Sequence, residues 1–326
     1  MQHILSVTVP FFALVLCGYL AARQRVLPES AIPGLNVFVL YFALPCMLFR
    51  FGASTPLAEL FNPAVVGVYL LCALLIVFVV IAFTLGRRVH LKDAAFGALV
   101  AAFPNSGFMG VPLLVALLGP AAAGPVICTM LVDMFVTSSL CLALAQGFDA
   151  HRAAGMQTRS AWQTAAAALK GPLANPLPWS ILAGAGFALA GWKLPGPAQT
   201  VVDLLGSAAT PVALFTIGAV LWRAGAQAQG PTPLALYVPP ALVKLLLHPL
   251  LVLAIGASAI ALGAPLSGFQ LTVLVLCAAL PSASNVSLLA ERFGADNGRV
   301  ARIILLSTVL AFVSFSALAW LFGVRG

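Results

Sequence analysis

Two short polar stretches interrupt long apolar runs in this chain: Ala102-Phe-Pro-Asn-Ser-Gly-Phe-Met-Gly-Val-Pro112 and Leu280-Pro-Ser-Ala-Ser-Asn285. Asn105, Ser106, Ser282, Ser284 and Asn285 supply amide and hydroxyl groups suited to holding a small polar ligand, while Pro104, Gly107 and Pro281 shape the backbone around them. Proline removes an amide donor and clashes with the preceding turn, so each run is expected to split into half-helices that free carbonyls and amides. Half-helix N-termini present N–H groups at a positive dipole end and suit a carboxylate; freed carbonyls suit a cation. One proline kink with small polar neighbours is ordinary helix packing in membranes. Two such breaks at equivalent places in two halves of a chain point to a substrate site at the bilayer midplane.

Three ionisable residues lie inside apolar runs. Asp133, in Met130-Leu-Val-Asp-Met-Phe135, is expected to be paired, protonated or facing water, because an isolated carboxylate there is costly. Proton carrier, cation ligand and hydrogen-bond partner for the broken backbone are all open to it. Lys244 and His248, in Lys244-Leu-Leu-Leu-His248-Pro249, share one helix face. An ammonium there attracts an anionic substrate or takes the place of a coupling cation; the plainer reading has Lys244 snorkel to the interface and His248 bond a carbonyl. Arg50, Asp203 and Glu291 fall near the ends of apolar runs, where interfacial solvation accounts for them. Gly18, Gly52, Gly184, Gly186 and Gly218 are expected to mark close helix packing.

Other chemistry is not signalled. Cys17, Cys46, Cys72, Cys128, Cys141 and Cys277 all sit in apolar runs without the spacing of a metal site, so no metal or other cofactor is expected beyond a coupling proton or sodium ion. No phosphate loop, dinucleotide fingerprint or nucleophile–base set is present, which argues against an enzyme and against a nucleotide-driven pump.

The elements that must position these residues are membrane helices. Of 326 residues 62% are hydrophobic and only 7% charged, with a mean hydropathy of +1.09, too little charge to cover a water-soluble domain. Ten spans are expected, near 3–22, 32–51, 64–86, 93–118, 121–147, 175–191, 198–222, 234–262, 267–291 and 299–323. The first is read as a retained helix and not a signal peptide, because its basic residues, Arg23 and Arg25, follow it. Most of the sixteen basic residues fall in the odd-numbered loops, whereas Arg50, Lys193 and Arg325 alone serve the even loops and the tail. By the positive-inside rule the odd loops are cytoplasmic and both termini outside. The net charge of +8 then reflects topology, and no nucleic-acid partner is expected, since the basic residues form no stripe.

The chain divides into 1–147, a linker 148–174 and 175–326. The linker's 158–170 segment, alanine-rich with Arg159, Trp162 and Lys170, is compatible with a short surface helix. Pro45-Cys-Met-Leu-Phe-Arg-Phe-Gly-Ala53 repeats as Pro211-Val-Ala-Leu-Phe-Thr-Ile-Gly-Ala219, so the halves look duplicated. A five-span unit must enter the membrane from the opposite side in its second copy. The fold class expected is therefore all-α integral membrane, ten helices in two inverted five-helix repeats, with helices four and nine broken.

These segments, together with Asn175-Pro176 and Lys244-Leu-Leu-Leu-His-Pro249, resemble in order and spacing the bacterial branch of the auxin efflux carrier family over nearly the whole chain. The resemblance implies the fold of bile-acid sodium symporters and sodium–proton antiporters, with broken helices crossing and a transport domain moving elevator-fashion against a scaffold. It places Pro104, Asn105, Pro281 and Asn285 at the crossover and the substrate between it and the scaffold near Pro45 and Pro211. It implies a secondary carrier of a small carboxylate such as malonate in a bacterial inner membrane, with a homodimer as a compatible assembly; an inorganic cation exchanger is the alternative on the same fold. The long hydrophilic loop of many plant members is missing. Asn285 follows Pro281 at a longer interval than Asn105 follows Pro104, so the two half-sites are not expected to match side chain for side chain.

Overall fold

The structure, a computed structural model, describes residues 2–60, 62–86, 89–152, 171–226 and 232–324. Among these, helices are the regular elements, with one isolated antiparallel bridge between Pro104 and Ser282. In chain order we label α1 Gln2–Arg23, α2 Ala31–Ser54, α3 Pro63–Thr84, α4 Leu91–Ala102, α5 Ser106–Leu118 and α6 Pro120–Gln146. The second half gives α7 Pro176–Ala190, α8 Gly196–Ala226, α9 Leu234–Ala261, α10 Gly268–Ala278, α11 Asn285–Arg292 and α12 Asn297–Leu321. Seven of these, α1, α2, α3, α6, α8, α9 and α12, contain helix long and apolar enough to cross a membrane, and α5, α7 and α10 are shorter apolar helices. They expose large apolar side chains, among them Leu16, Phe78, Leu189, Leu204, Leu250 and Val313. Such a surface is untenable in water and suits lipid. The protein is a multi-pass, all-helical membrane protein.

Local chemistry sets many helix starts. Asn62 accepts from the amides of Ala64 and Val65 at 3.0 and 3.2 Å with Pro63 opening α3, and Asn175 accepts from Leu177 at 3.0 Å with Pro176 opening α7. Ser267 and Gln270 form a reciprocal capping box on α10, and the Asp296 carboxylate takes the Arg299 amide at 2.9 Å on α12. Each satisfies donors that a helix start otherwise leaves unpaired.

The runs expected at 93–118 and 267–291 are split, as the prolines require: α4 ends at Ala102 and α5 restarts at Ser106, while α10 ends at Ala278 and α11 restarts at Asn285. The sequence did not signal four π-helical turns, at Val39–Ala43, Ser106–Gly110, Asp133–Thr137 and Val243–Leu247. One lies beside the first break, and two others contain Asp133 and Lys244. Widened turns of this kind re-aim side chains and free backbone carbonyls.

Small residues set the tightest contacts. A Cβ on Gly18 would overlap the Phe215 carbonyl and one on Gly218 the Val15 carbonyl, so α1 and α8 touch backbone to backbone. Gly52 and Gly184 do the same between α2 and α7, against the Ile181 and Phe49 carbonyls. Gly186, expected to join them, has nothing within 4 Å of its Cβ position and marks no close contact.

Arg299, the first residue of the last expected span, is buried at the start of α12, where its Nε donates to the Leu236 carbonyl at 2.8 Å and its Nη1 to the Asp93 carbonyl at 3.0 Å. The starts of α4, α9 and α12 are thereby tied together. The proposed 158–170 helix lies outside the described residues.

Candidate functional site

The two breaks meet. The Asn105 amide donates to the Pro281 carbonyl at 2.8 Å, and the Ala283 amide to the Phe103 carbonyl at 3.0 Å. Each break thus supplies the partners that proline denies the other, and backbone that lipid would not tolerate is satisfied inside protein. Further bonds complete the junction: the Asn105 carbonyl accepts from Met109 and Gly110 at 3.1 and 2.9 Å, and the Ser282 amide donates to Ser307 Oγ of α12 at 3.2 Å. At the junction the carbonyl ends of α4 and α10 approach it, and the amide ends of α5 and α11 begin from it. The junction offers negative and positive helix ends together.

Of the residues expected here, Asn105, Ser106, Ser282 and Ser284 are buried and Asn285 is half-buried. The Ser282 hydroxyl and Asn285 Oδ1 are buried atoms with no hydrogen-bond partner. A serine hydroxyl donates and accepts, and an amide turned end for end presents either group, so both have unspent capacity for a ligand. Ser106 Oγ lies 3.5 Å from the Pro104 carbonyl, at the outer limit of a hydrogen bond. A Cβ at Gly107 would meet Met130 Sδ at 3.3 Å, whereas one at Gly110 would meet Leu280 Cδ1 at 2.7 Å. Gly110 is the glycine that admits the second break.

The Ser106–Gly110 turn packs on α8. Two of the protein's cavities have polar side chains in their walls. One, of about 520 Å³, is lined by Met47, Arg50, Pro112, Gln199, Asp203 and Thr210; the other, of about 410 Å³, by Tyr41, Gln146, Asn175, Leu289, Arg292 and Phe293. Neither reaches Asn105 or Asn285. Pro45 is half-buried and Pro211 exposed; they neighbour Met47 and Thr210 in sequence without lining either space themselves. Arg50 and Asp203, assigned no role above, pair at 3.1 Å in the larger cavity, and Gln199 Nε2 donates to Asp203 at 3.1 Å.

Asp133, Lys244 and His248 form a second group beside the junction, all fully buried. Asp133 accepts from the Tyr69 hydroxyl at 2.7 Å and from Thr137 Oγ1 at 3.1 Å. It does not bond the broken backbone, so that reading is set aside. Lys244 does not snorkel. Its Nζ donates to the Ala278 carbonyl at 2.7 Å, at the end of α10, and lies 3.3 Å from His248 Nδ1. Nor does His248 bond a carbonyl: its Nε2 is buried without a partner, and the Tyr69 ring stands 5.8 Å away, centroid to centroid. Among the described residues no carboxylate lies within ion-pair distance of Lys244. Tyr69 was missed in the sequence; a tyrosine hydroxyl in the middle of the apolar run 63–84 was the available signal, since a buried hydroxyl needs a partner.

A family model described as "Membrane transport protein" matches residues 3–319. The chain belongs to this family. Among its relatives, the chain is 31% identical over 332 residues to a Rhizobium meliloti (strain 1021) protein named "Putative malonate transporter", covering 98% of this chain and 96% of the relative. It is 25% identical over 327 residues to "Uncharacterized transporter YfdV" of Escherichia coli (strain K12), covering 96% and 95%. Over 130 residues, 37% of this chain and 35% of the relative, it is 31% identical to "Auxin efflux carrier component 8" of Arabidopsis thaliana. The kinship with auxin efflux carriers expected from the motifs holds. This membrane transport protein is a transporter and not an enzyme.

Proposed function

We propose that this protein is an elevator-type secondary carrier of a small organic anion, malonate or another carboxylate, across the bacterial cytoplasmic membrane. The observation that carries the reading is the antiparallel meeting of Pro104 and Ser282 between two broken helices, with Ser282 Oγ and Asn285 Oδ1 left unpartnered beside it. Asn105, Ser106, Ser282, Ser284 and Asn285, with the amide ends of α5 and α11, bind the carboxylate; Pro104, Gly107 and Pro281 hold the crossover open; Pro45 and Pro211 form the scaffold side. Asp133, Lys244 and His248 tune its charge.

The proposed architecture is ten spans in two inverted repeats, 1–147 and 175–326, joined by a cytoplasmic linker 148–174, with both termini outside and a homodimer as the assembly. Its support is the reciprocity of the glycine contacts. The matched motifs place Gly52 and Gly218 in equivalent positions, and each packs on the first helix of the other half, α7 and α1. The name of the Rhizobium meliloti relative supports malonate as the first candidate. The cation-exchange alternative draws on Asp133 alone, and that carboxylate is already held by Tyr69 and Thr137.

The test is thermal stabilisation of the purified protein by mono- and dicarboxylates, with uptake into proteoliposomes for any that bind. A ligand at about a hundred times its Kd adds about 2.7 kcal/mol to stability. A carboxylate that raises Tm, with the effect lost in both Asn105→Ala and Asn285→Ala, is the expected result. Silence across the panel together with sodium–proton exchange would replace the reading with the exchanger.

A further inference from the structure

One face of α11 leads from the crossover to the cavity of about 410 Å³. Asn285, Leu289 and Arg292 follow one another at intervals of four and three residues, so they share a helix face. Asn285, with its unpartnered Oδ1, begins the helix at the break, while Leu289 and Arg292 line the cavity. At the rise of an α-helix Arg292 stands about 10 Å along the axis from Asn285, with Leu289 between them.

This cavity and the one holding Arg50 occupy matching places in the two halves. Leu289 lines the first and follows Pro281 by eight residues; Pro112 lines the second and follows Pro104 by eight. Tyr41 in the first precedes Pro45 by four residues, and Ser207 in the second precedes Pro211 by four. Each cavity is thus bounded by the half-helix after one break and by the motif-proline helix of the other half. In an inverted repeat such spaces open toward opposite sides of the membrane. Gln146 and Asn175, in the wall of the first, stand at the two ends of the 148–174 linker, which assigns that cavity to the linker's side.

The charges of the two cavities differ. Arg50 is held by Asp203 at 3.1 Å. Arg292 is exposed and makes no ion pair among the described residues, and none of the described residues lining its cavity is acidic. Gln146 and Asn175 add amide donors without adding charge; Asn175 Oδ1 is spent on the Leu177 amide at 3.0 Å, which leaves its Nδ2 to donate. A guanidinium without a counter-ion in a concave wall attracts carboxylates and can take one with two parallel N–H bonds.

We propose that Arg292 recruits the anion at the linker-side entrance, drawing a carboxylate into this cavity and handing it along α11, past Leu289, to Asn285. The inference rests on the carrier reading and adds a residue and a route to it. Arg292 sets how often a carboxylate reaches the crossover and leaves the crossover's own bonds unchanged, so its effect must depend on ionic strength. The screening length is about 30 Å at 0.01 M salt and about 3 Å at 1 M, and the roughly 10 Å between Arg292 and Asn285 falls between the two.

The full-length protein would be reconstituted in proteoliposomes. Uptake of radiolabelled malonate, or of the panel carboxylate that is carried if malonate is not, would be measured at limiting substrate in low and high potassium chloride, with sucrose balancing osmolarity. Wild-type uptake is expected to fall as salt rises. Arg292→Gln is expected to be slower about threefold or more in low salt and equal to wild type in high salt. Arg292→Lys should keep most of the low-salt advantage, whereas Arg292→Glu should be slower still and speed up as salt is added. Because the side chain is exposed, Tm should not change in any of them. Variants that match wild type in low salt overturn the proposal. So does a loss in Arg292→Gln that is equal in both salts, or a variant that melts lower or does not fold, since these mark an arginine that only stabilises the carbonyl end of α11. Wild-type protein that carries no carboxylate in the panel would remove the carrier reading and this inference together; carriage by wild type with indifferent variants would remove the inference alone.

Discussion

The Asn105 amide and the Pro281 carbonyl, brought together at 2.8 Å from opposite halves of the chain, join two helix breaks into one junction. Asn105 and Asn285 belong to the two breaks so joined, and their side chains are the ones predicted to reach substrate. Because Asn285 Oδ1 is buried without a partner, its removal costs little stability: Asn285→Ala should melt at or above the wild-type temperature without ligand. Carboxylate affinity should nevertheless fall about tenfold or more, equal to about 1.4 kcal/mol, measured by calorimetric titration. Retained affinity in both Asn105→Ala and Asn285→Ala would remove the site from the junction.

Tyr69→Phe takes one of two hydrogen bonds from a fully buried carboxylate. Leaving such a group short of a partner costs about 1–3 kcal/mol, so the variant should melt several degrees lower. Asp133→Asn should offset much of that loss in the double variant, and the departure from additivity is the quantity to measure. Additive effects would show that the bond contributes nothing.

Gly18→Ala and Gly218→Ala each drive a methyl into a carbonyl of the partner helix, across the α1–α8 contact. Overpacking of this kind costs about 1–3 kcal/mol, and each variant should show a lower Tm or a broadened size-exclusion profile. Gly186→Ala, with open space at its Cβ, is the matched control and should stay within about 0.5 kcal/mol of wild type. Equal effects at all three positions would contradict the packing described.

Arg50 and Asp203 make their ion pair with side chains 43% and 44% exposed. Exposed pairs contribute at most about 1 kcal/mol, so Arg50→Gln should leave Tm nearly unchanged. If the cavity that holds Arg50 draws anions toward the junction, the same variant should slow uptake, and more so at low ionic strength, where screening is weak. An unchanged rate at low salt would confine Arg50 to a surface role.

Membrane location, helical class and the two breaks were legible in the sequence because each follows from local rules. Apolar length is matched to bilayer thickness, and a proline at 104 or 281 removes a donor whatever lies around it. Gly18, Gly52, Gly184 and Gly218 could be picked out as packing residues, but Gly186 could not be told from them, since a glycine carries no mark of what faces it. Asp133, Lys244 and His248 stood out because charge in an apolar run is conspicuous.

Their partners were not legible. The sequence alone left Lys244 free to snorkel, Asp133 free to bond the broken backbone, and Tyr69 unremarked; it gave Arg299 no partner. Only the tertiary structure set Lys244 on the Ala278 carbonyl, Asp133 on Tyr69, and Arg299 between the starts of α4 and α9. The physical reason is range. Backbone breaks and apolar length are decided within a turn or a span of their own residues. A buried polar group instead takes whichever partner the packing of other helices brings within about 3 Å, and that choice is made across the fold.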